Sequence, residues 1–195
     1  DWAFQYAPDL LSLDADTVSA LNDDRVGRCL NRLFDADRPS LVLAVVAHAI
    51  REFGVDLDQL HNDSTTISFF GQYEEAISGR TRRGKPTLGI LFGHSKDHRP
   101  DLKQLLFILT VSRDGGVPIY FEARDGNTSD DTTHRRTWDL LCQLVGKNDF
   151  LYVADCKLAS TENMTYIHGK GGRFISVLPR TRAEDRIFRE KIVND

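Results

Sequence analysis

The segment Phe150-Leu151-Tyr152-Val153-Ala154-Asp155 is a compact apolar strand that ends at a single carboxylate. The polar residues Cys156 and Lys157 follow it at once. Ligands of open α/β sheets bind beyond the carboxyl ends of such buried strands. The pattern therefore predicts a central strand with Asp155 at a binding edge. The alternative is an ordinary turn or cap, which is the more common role of an aspartate at a strand end.

A second aspartate, Asp63, lies in Leu60-His61-Asn62-Asp63-Ser64-Thr65-Thr66, and β-branched and aromatic residues continue to Phe70. This composition predicts a strand at the centre of the sheet. Two carboxylates on neighbouring strands repel each other unless a cation lies between them. Hard oxygen ligands favour Mg²⁺ or Mn²⁺, and pairs of such ions recur in phosphodiester chemistry. An Asx turn at Asn62 and Asp63 is the alternative.

The chain around these segments predicts an α/β fold. Predicted strands cover residues 55–70, 88–92, 105–111, 119–123, 150–154 and 174–178, and predicted helices cover 131–145 and 160–168. A run of strands followed by alternating helices and strands indicates a mixed sheet flanked by helices. We therefore expect one sheet domain over residues 55–195.

The first 54 residues predict a helical segment that precedes the sheet. One helix is expected over residues 16–36, with Asp14 or Asp16 as its N-cap. A second helix is expected from a cap at Ser40 to about Phe53, with Gly54 as its stop signal. Its apolar composition predicts that it is well buried.

Composition excludes several classes of protein. Hydrophobic residues make up 41% of the 195 residues, which is ordinary globular usage. The longest apolar stretch, residues 41–50, is too short to cross a membrane. Cys29, Cys142 and Cys156 stand singly, which argues against a disulfide framework and a thiolate zinc site. With no signal peptide recognisable, a cytoplasmic location is expected.

The net charge of −4 conceals an asymmetry along the chain. Residues 1–63 contain 12 acidic and 5 basic residues, whereas residues 80–103 and 170–191 each contain seven basic residues. Such clusters suit an anionic polymer, although solvated faces explain them equally well. Candidate phosphate contacts are Lys96, His98, Arg99 and Lys157. His94 and His98 are poorly placed for zinc, and residues 169–173 lack the spacing of a phosphate-binding loop.

Four segments resemble DDE transposases of bacterial insertion sequences. Residues 61–71 and 152–160 look like the first two acidic motifs, residues 93–105 resemble a signature that follows the second strand, and residues 126–130 match the turn before the next helix. The resemblance covers about Val55 to Arg180. It implies an RNase H-like fold of the retroviral-integrase type.

By this resemblance, Asp63 and Asp155 are the first two members of a catalytic, metal-binding triad that uses Mg²⁺ or Mn²⁺. The third member is a glutamate on a later helix. Glu184 and Glu190 match its motif poorly, so we expect the third member beyond Asp195. We then expect an incomplete core that is inactive alone.

The resemblance also implies an activity and its partners. The activity is metal-dependent cleavage of DNA at transposon ends and transfer of the strand to target DNA, by a homo-oligomer associated with the bacterial nucleoid. Sequence-specific recognition is expected upstream, because no helix-turn-helix motif is recognisable. Two alternatives stay open: another RNase H-like nuclease, and an inactive DNA-binding remnant of a transposase.

Overall fold

A computed structural model describes residues 12–194, so part of the predicted segment 1–54 lies outside the described residues. The helices are α1 (Ala15–Ser19), α2 (Asp23–Asp35), α3 (Arg38–Phe53), α4 (His134–Val145), α5 (Thr161–Gly169) and α6 (Ala183–Asn194). The strands are β1 (Gln59–Phe69), β2 (Thr81–Arg82), β3 (Lys85–Pro86), β4 (Lys103–Ser112), β5 (Pro118–Asp125), β6 (Leu151–Ala154) and β7 (Arg173–Ser176). The chain divides into two compact units between His48 and Ala49. Among residues 12–194, no helix has the length and apolarity needed to cross a membrane.

The predicted helix over residues 16–36 is wrong, because the structure breaks it into α1 and α2. Asp14 caps α1 as expected, since its side chain accepts a hydrogen bond from the Thr17 amide at 2.6 Å. The Asn22 side chain accepts from the Arg25 amide at 2.8 Å and starts a new helix there. Asparagine at this position satisfies an otherwise unpaired amide of the first turn. The capping residue Asn22 therefore divides the predicted helix, although the apolar pattern continues across it.

Helix α3 departs from the prediction at its start and in its burial. It begins at Arg38 instead of after Ser40, and the Asp37 carboxylate accepts hydrogen bonds from the Ser40 amide and hydroxyl. It ends at Phe53 before Gly54, which has φ of 60°. None of the α3 residues, all of which the structure describes, is buried. The predicted burial is therefore wrong, because apolar composition does not supply a partner surface.

Five strands form a mixed sheet in the order β5-β4-β1-β6-β7. Strand β4 is antiparallel to both β1 and β5, while β6 is parallel to both β1 and β7. The predicted mixed α/β sheet flanked by helices is confirmed.

The predicted strand over residues 88–92 does not form in the main sheet. Only Leu91 makes a bridge there, with Gln104. The Gly89 amide instead donates to the Asp125 carboxylate at 2.7 Å, and its carbonyl accepts from the Gly126 amide at 3.1 Å. These bonds fasten the segment to the turn after β5 and leave no ladder for a strand. The preceding basic loop contains the small β2–β3 hairpin.

The two faces of the sheet differ in burial. We call the face that carries Leu106, Ile108, Thr110 and Tyr152 the covered face, because these side chains are buried. The open face is defined by the alternate, less buried residues of the same strands. These are His61, Asp63, Leu109, Val111, Phe121, Val153 and Ile175. Alternation arises because successive side chains of a strand point to opposite faces.

Helix α4 packs on the covered face. His134 Nδ1 lies 3.2 Å from the hydroxyl of Tyr152, and the rings of Trp138 and Phe150 are 6.4 Å apart. The helix begins at His134 after a 3₁₀ turn at Asp130–Thr132, which shortens the predicted helix 131–145. The covered face with its helix therefore forms the core beneath the candidate site.

Candidate carboxylate site

Asp63 and Asp155 occupy equivalent positions on neighbouring strands. The parallel pairing of β1 with β6 ends at the Asn62–Ala154 pair, and each aspartate is the next residue along the chain. Adjacent strands are about 4.8 Å apart, so the two carboxylates start from neighbouring backbone positions. Both line one shallow depression of about 320 Å³. Its other lining residues are His61, Asn62, Leu109, Val111, Val153 and Ala154.

Asp63 lies inside β1, whose strand continues past the end of β6. It is paired with Leu109 of β4, so the alternative Asx turn at this position does not form. One carboxylate oxygen accepts from the Ser64 amide at 2.7 Å. The side chain is 80% exposed, which leaves it accessible to an ion from solvent. Asp63 therefore stands at a step where the sheet narrows from five strands to three, because β6 and β7 end there.

Asp155 is exposed and comes directly after β6. Its carboxylate accepts from the Lys157 amide at 3.0 Å, which is the bond expected of the alternative turn role. Its carbonyl oxygen accepts from the Ser176 hydroxyl at 2.6 Å, which ties the residue to the end of β7. A turn therefore fixes the backbone of Asp155, and the residue lines the same depression as Asp63. Its binding role stays a prediction.

Lys96 lies beside Asp63 and brings a third carboxylate with it. Its ammonium is 3.7 Å from a carboxylate oxygen of Asp63 and 3.1 Å from one of Asp130. It also donates to the Ser64 hydroxyl at 2.9 Å and to the Ser64 carbonyl oxygen. Sequence reasoning did not single out Asp130. Its only signal was its position in the quoted segment 126–130.

A buried polar pair, His134 and Tyr152, lies under the site on the covered face. Burial lowers the pKa of His134 below its ordinary value of 6.5, while the negative charges of Asp155, Asp130 and Asp131 oppose that shift. Burial also raises the pKa of Tyr152. A neutral imidazole and a neutral phenol therefore support the site from below.

The side chains present suit a divalent ion held by two carboxylates. Among residues 12–194, no group of three or more His, Cys, Asp or Glu side chains is arranged to hold a metal. Glu184 instead pairs with Arg182 at 2.6 Å, which lowers its carboxyl pKa to about 2, and Glu190 lies 3.9 Å from Arg186. Mg²⁺ commonly keeps several waters and binds through only one or two carboxylates. Asp63 and Asp155 fit that chemistry without a third protein ligand.

The other predicted phosphate contacts lie on the surface. Arg99 makes two hydrogen bonds to Asp101, at 2.9 and 2.7 Å, and lies over the ring of Phe70. His98 is exposed in a turn with φ of 56°, and Lys157 is exposed two residues beyond Asp155. Of the four candidates, Lys96 and Lys157 are near the carboxylates by contact or by sequence. No contact links the other two to the carboxylates.

Both basic segments form ion pairs within the protein. Four pairs hold the cations of residues 170–191 within the protein: Lys170 with Asp139, Arg182 with Glu184, Arg186 with Glu190, and Arg189 with Asp185. In the segment 80–103, Arg80 lies 3.6 Å from Glu75, Lys96 pairs with Asp130 and Arg99 with Asp101. Arg82 and Arg83 of the β2–β3 hairpin are exposed at the surface.

The solved structures that are similar to this chain include two transposase complexes. One is a Mos1 transposase paired-end complex with the left transposon end, 10% identical with a TM-score of 0.38, over 79% of this chain and 42% of that one. The other is a Mos1 mariner paired-end complex with Mn, 9% identical with a TM-score of 0.38, over 90% of this chain and 56% of that one. The chain thus spans about half the length of those proteins. No family model and no curated protein matches it.

Proposed function

We propose that residues 55–195 belong to the catalytic core of a DDE-type transposase of the bacterial insertion-sequence kind. In this proposal, Asp63 and Asp155 hold Mg²⁺ or Mn²⁺ for cleavage and joining of DNA strands. The observation that carries it is the adjacency of two exposed carboxylates at the matching ends of a parallel strand pair. Two acids placed in this way repel each other, and a bound cation removes the repulsion.

The chain's own residues would position the reacting groups. Asp63 is fixed by the β1–β4 ladder and Asp155 by its turn and by Ser176, so neither backbone has to rearrange to bind an ion. A bound divalent ion supplies activation of the attacking oxygen and stabilisation of the leaving 3′ oxygen. The half-exposed depression leaves room for a phosphodiester over the carboxylates.

DNA is the proposed partner, as both transposon end and target. The exposed arginines of the β2–β3 hairpin support it, because clustered cations bind the phosphate backbone independently of sequence. Lys157, which lies two residues beyond Asp155, and the surface residues His98 and Arg99 are proposed phosphate contacts. Assembly into a homo-oligomer on paired DNA ends and a location at the cytoplasmic nucleoid belong to the same proposal.

A second candidate is a DNA-binding remnant without catalysis. The observation that favours it is that, within the part of the chain the structure describes, no third carboxylate completes a metal-binding group with Asp63 and Asp155. Under this alternative, the basic hairpin still binds DNA while the carboxylate pair performs no chemistry.

The experiment is a nicking and strand-joining assay on supercoiled plasmid with Mn²⁺. If two carboxylates suffice for catalysis, contrary to the inactivity expected of an incomplete core, the chain nicks the plasmid. Asp63→Asn and Asp155→Asn should then each reduce the rate at least about a thousandfold. Asp149→Asn, which alters an exposed aspartate away from the site, is the matched control and should keep the full rate.

Each outcome of this assay identifies one candidate. Nicking that is equal in wild type and in Asp155→Asn contradicts the proposed site. Binding of plasmid without any nicking supports the remnant. Nicking without joining of the cut strand to a second DNA molecule indicates an RNase H-like nuclease of another kind.

A further inference from the structure

Lys96 and Asp130 form an ion pair that is more enclosed than the carboxylates next to it. The Asp130 side chain is only 13% exposed and that of Lys96 28%, compared with 80% for Asp63. A carboxylate withdrawn from water to this degree is stable only when it is paired and hydrogen-bonded. The 3.1 Å contact with Lys96 supplies that pairing.

Both partners are held by their own backbone surroundings. Asp130 stands in the 3₁₀ turn before α4, where its carbonyl oxygen accepts from the Thr133 amide at 3.0 Å and from the Thr133 hydroxyl at 2.6 Å. Lys96 follows the buried Ser95, whose hydroxyl accepts from the Arg99 amide at 3.2 Å. The pair therefore joins two loops at a fixed place beside Asp63.

The donors of Lys96 are all used within the protein. An ammonium group has three N–H donors. Here the acceptors around it are the Ser64 carbonyl oxygen, the Ser64 hydroxyl and the Asp130 carboxylate, with Asp63 at 3.7 Å. This geometry favours an internal role for Lys96 over the predicted contact with a DNA phosphate.

We propose that Lys96 is a built-in cation of the carboxylate site, held beside Asp63 by Asp130, and that this pair sets the affinity of Asp63 and Asp155 for a divalent ion. The inference rests on the proposed function, because it requires the two aspartates to bind metal. Lys96 and Asp130 are positioning residues: they act on the ion through Asp63 and through charge.

Charge gives the two partners opposite effects on metal affinity. Lys96→Met removes a positive charge near Asp63, which lowers the repulsion felt by an incoming dication. Asp130→Asn removes a negative charge and releases the ammonium to pair more closely with Asp63, where it competes with the ion. Coulomb energies at these distances, reduced by solvent screening, correspond to roughly threefold to tenfold in affinity.

The test is a Mn²⁺ titration of the full 195-residue chain by calorimetry, with no DNA and no turnover. We expect Lys96→Met to bind Mn²⁺ about threefold to tenfold more tightly than wild type, and Asp130→Asn to bind it more weakly by a similar factor. The double variant Lys96→Met/Asp130→Asn restores the wild-type net charge and should bind within about twofold of wild type. Asp149→Asn is the control for an unrelated lost charge and should match wild type.

Opposite shifts cannot arise from a merely structural role, because loss of folding weakens binding in both single variants. Urea unfolding of each variant confirms that a folded protein was titrated. Unchanged affinity in both single variants, or a shift of the same sign in both, overturns the inference and leaves the proposed function standing. Wild type that binds Mn²⁺ no better than Asp63→Asn/Asp155→Asn overturns both. If Lys96→Met does not fold, the Mn²⁺ affinities of Asp130→Asn and of the double variant still show whether the loss of Lys96 raises or lowers the affinity.

Discussion

The covered and open faces of the sheet are formed by the same strands, but one is buried in the core and the other carries the candidate site. Along β4, Leu106 and Ile108 are fully buried, whereas their neighbours Leu109 and Val111 are only half-buried. The covered face packs against α4, and the candidate carboxylates lie on the open face. Because successive side chains of a strand point to opposite faces, one residue contributes to the stability of the core and the next to the surface of the candidate site. A substitution moved by one position therefore affects the other property.

The largest expected contrast comes from two adjacent residues of β4. Ile108→Ala empties a fully buried position and should lower the free energy of unfolding by about 2–5 kcal/mol. Leu109→Ala on the open face removes a half-buried side chain and should lower the free energy of unfolding by about 1 kcal/mol. Urea denaturation of the two variants measures both. Equal losses would mean that the open face is covered in solution as fully as the other.

A hydrogen bond gives a second, smaller contrast between the faces. The buried Thr110 hydroxyl donates to the Asn62 side chain at 2.8 Å. Thr110→Val removes the donor and leaves the buried side-chain oxygen of Asn62 unsatisfied. The free energy of unfolding should therefore fall by about 1–3 kcal/mol. Thr65→Val, at an exposed position of β1, should change stability by less than about 0.5 kcal/mol. A loss from Thr65→Val as large as that from Thr110→Val would contradict the assigned faces.

The contrast extends from burial to surface charge. Arg82→Glu reverses a charge on the exposed β2–β3 hairpin and should weaken binding to plasmid DNA about tenfold at low salt, with a smaller slope of log Kd against log salt. Arg189→Glu alters a cation already paired with Asp185 at 2.8 Å and should have a much smaller effect. Filter binding at several salt concentrations compares them. A larger effect from Arg189→Glu would place the DNA contact on the other basic segment.

The smallest expected effect is a pH dependence that originates under the site. Burial lowers the folded-state pKa of His134 below 6.5, so the unfolded chain binds the proton more readily than the folded one. Stability should therefore fall as the pH is lowered through and below about 6.5, by at most about 1.4 kcal/mol per pH unit from this group. His134→Gln should flatten that part of the profile. If His134→Gln showed the same slope of stability against pH as wild type between pH 7 and 5, the result would contradict a buried neutral imidazole.

Much of the sheet was predictable from local sequence patterns. Burial can be predicted from the alternating and apolar sequence patterns of β1, β4, β5, β6 and β7. Ser160 caps α5, as a serine before a helix commonly does, and its side chain accepts a hydrogen bond from the Asn163 amide at 3.1 Å. The fold class followed from the order of these elements. Strand edges differed by a few residues, which local propensity does not fix.

Partners distant in sequence decided what could not be predicted. Residues 88–92 have a strand-like composition. However, the Asp125 carboxylate, 36 positions away in sequence, binds the Gly89 amide and prevents these residues from forming a strand. The burial expected of α3 depended on a partner surface that its own sequence does not encode. At the site, the adjacency of Asp63 and Asp155 follows from strand order, but the approach of Asp130 to Lys96 depends on how two loops meet.

The most direct test of the central claim is a crystal of the 195-residue chain soaked in Mn²⁺ and measured at an anomalous wavelength. We expect an anomalous peak within coordination distance of the carboxylate oxygens of both Asp63 and Asp155, and its loss in Asp63→Asn/Asp155→Asn. Ordered carboxylates with no peak between them, or a peak at other side chains alone, would contradict it.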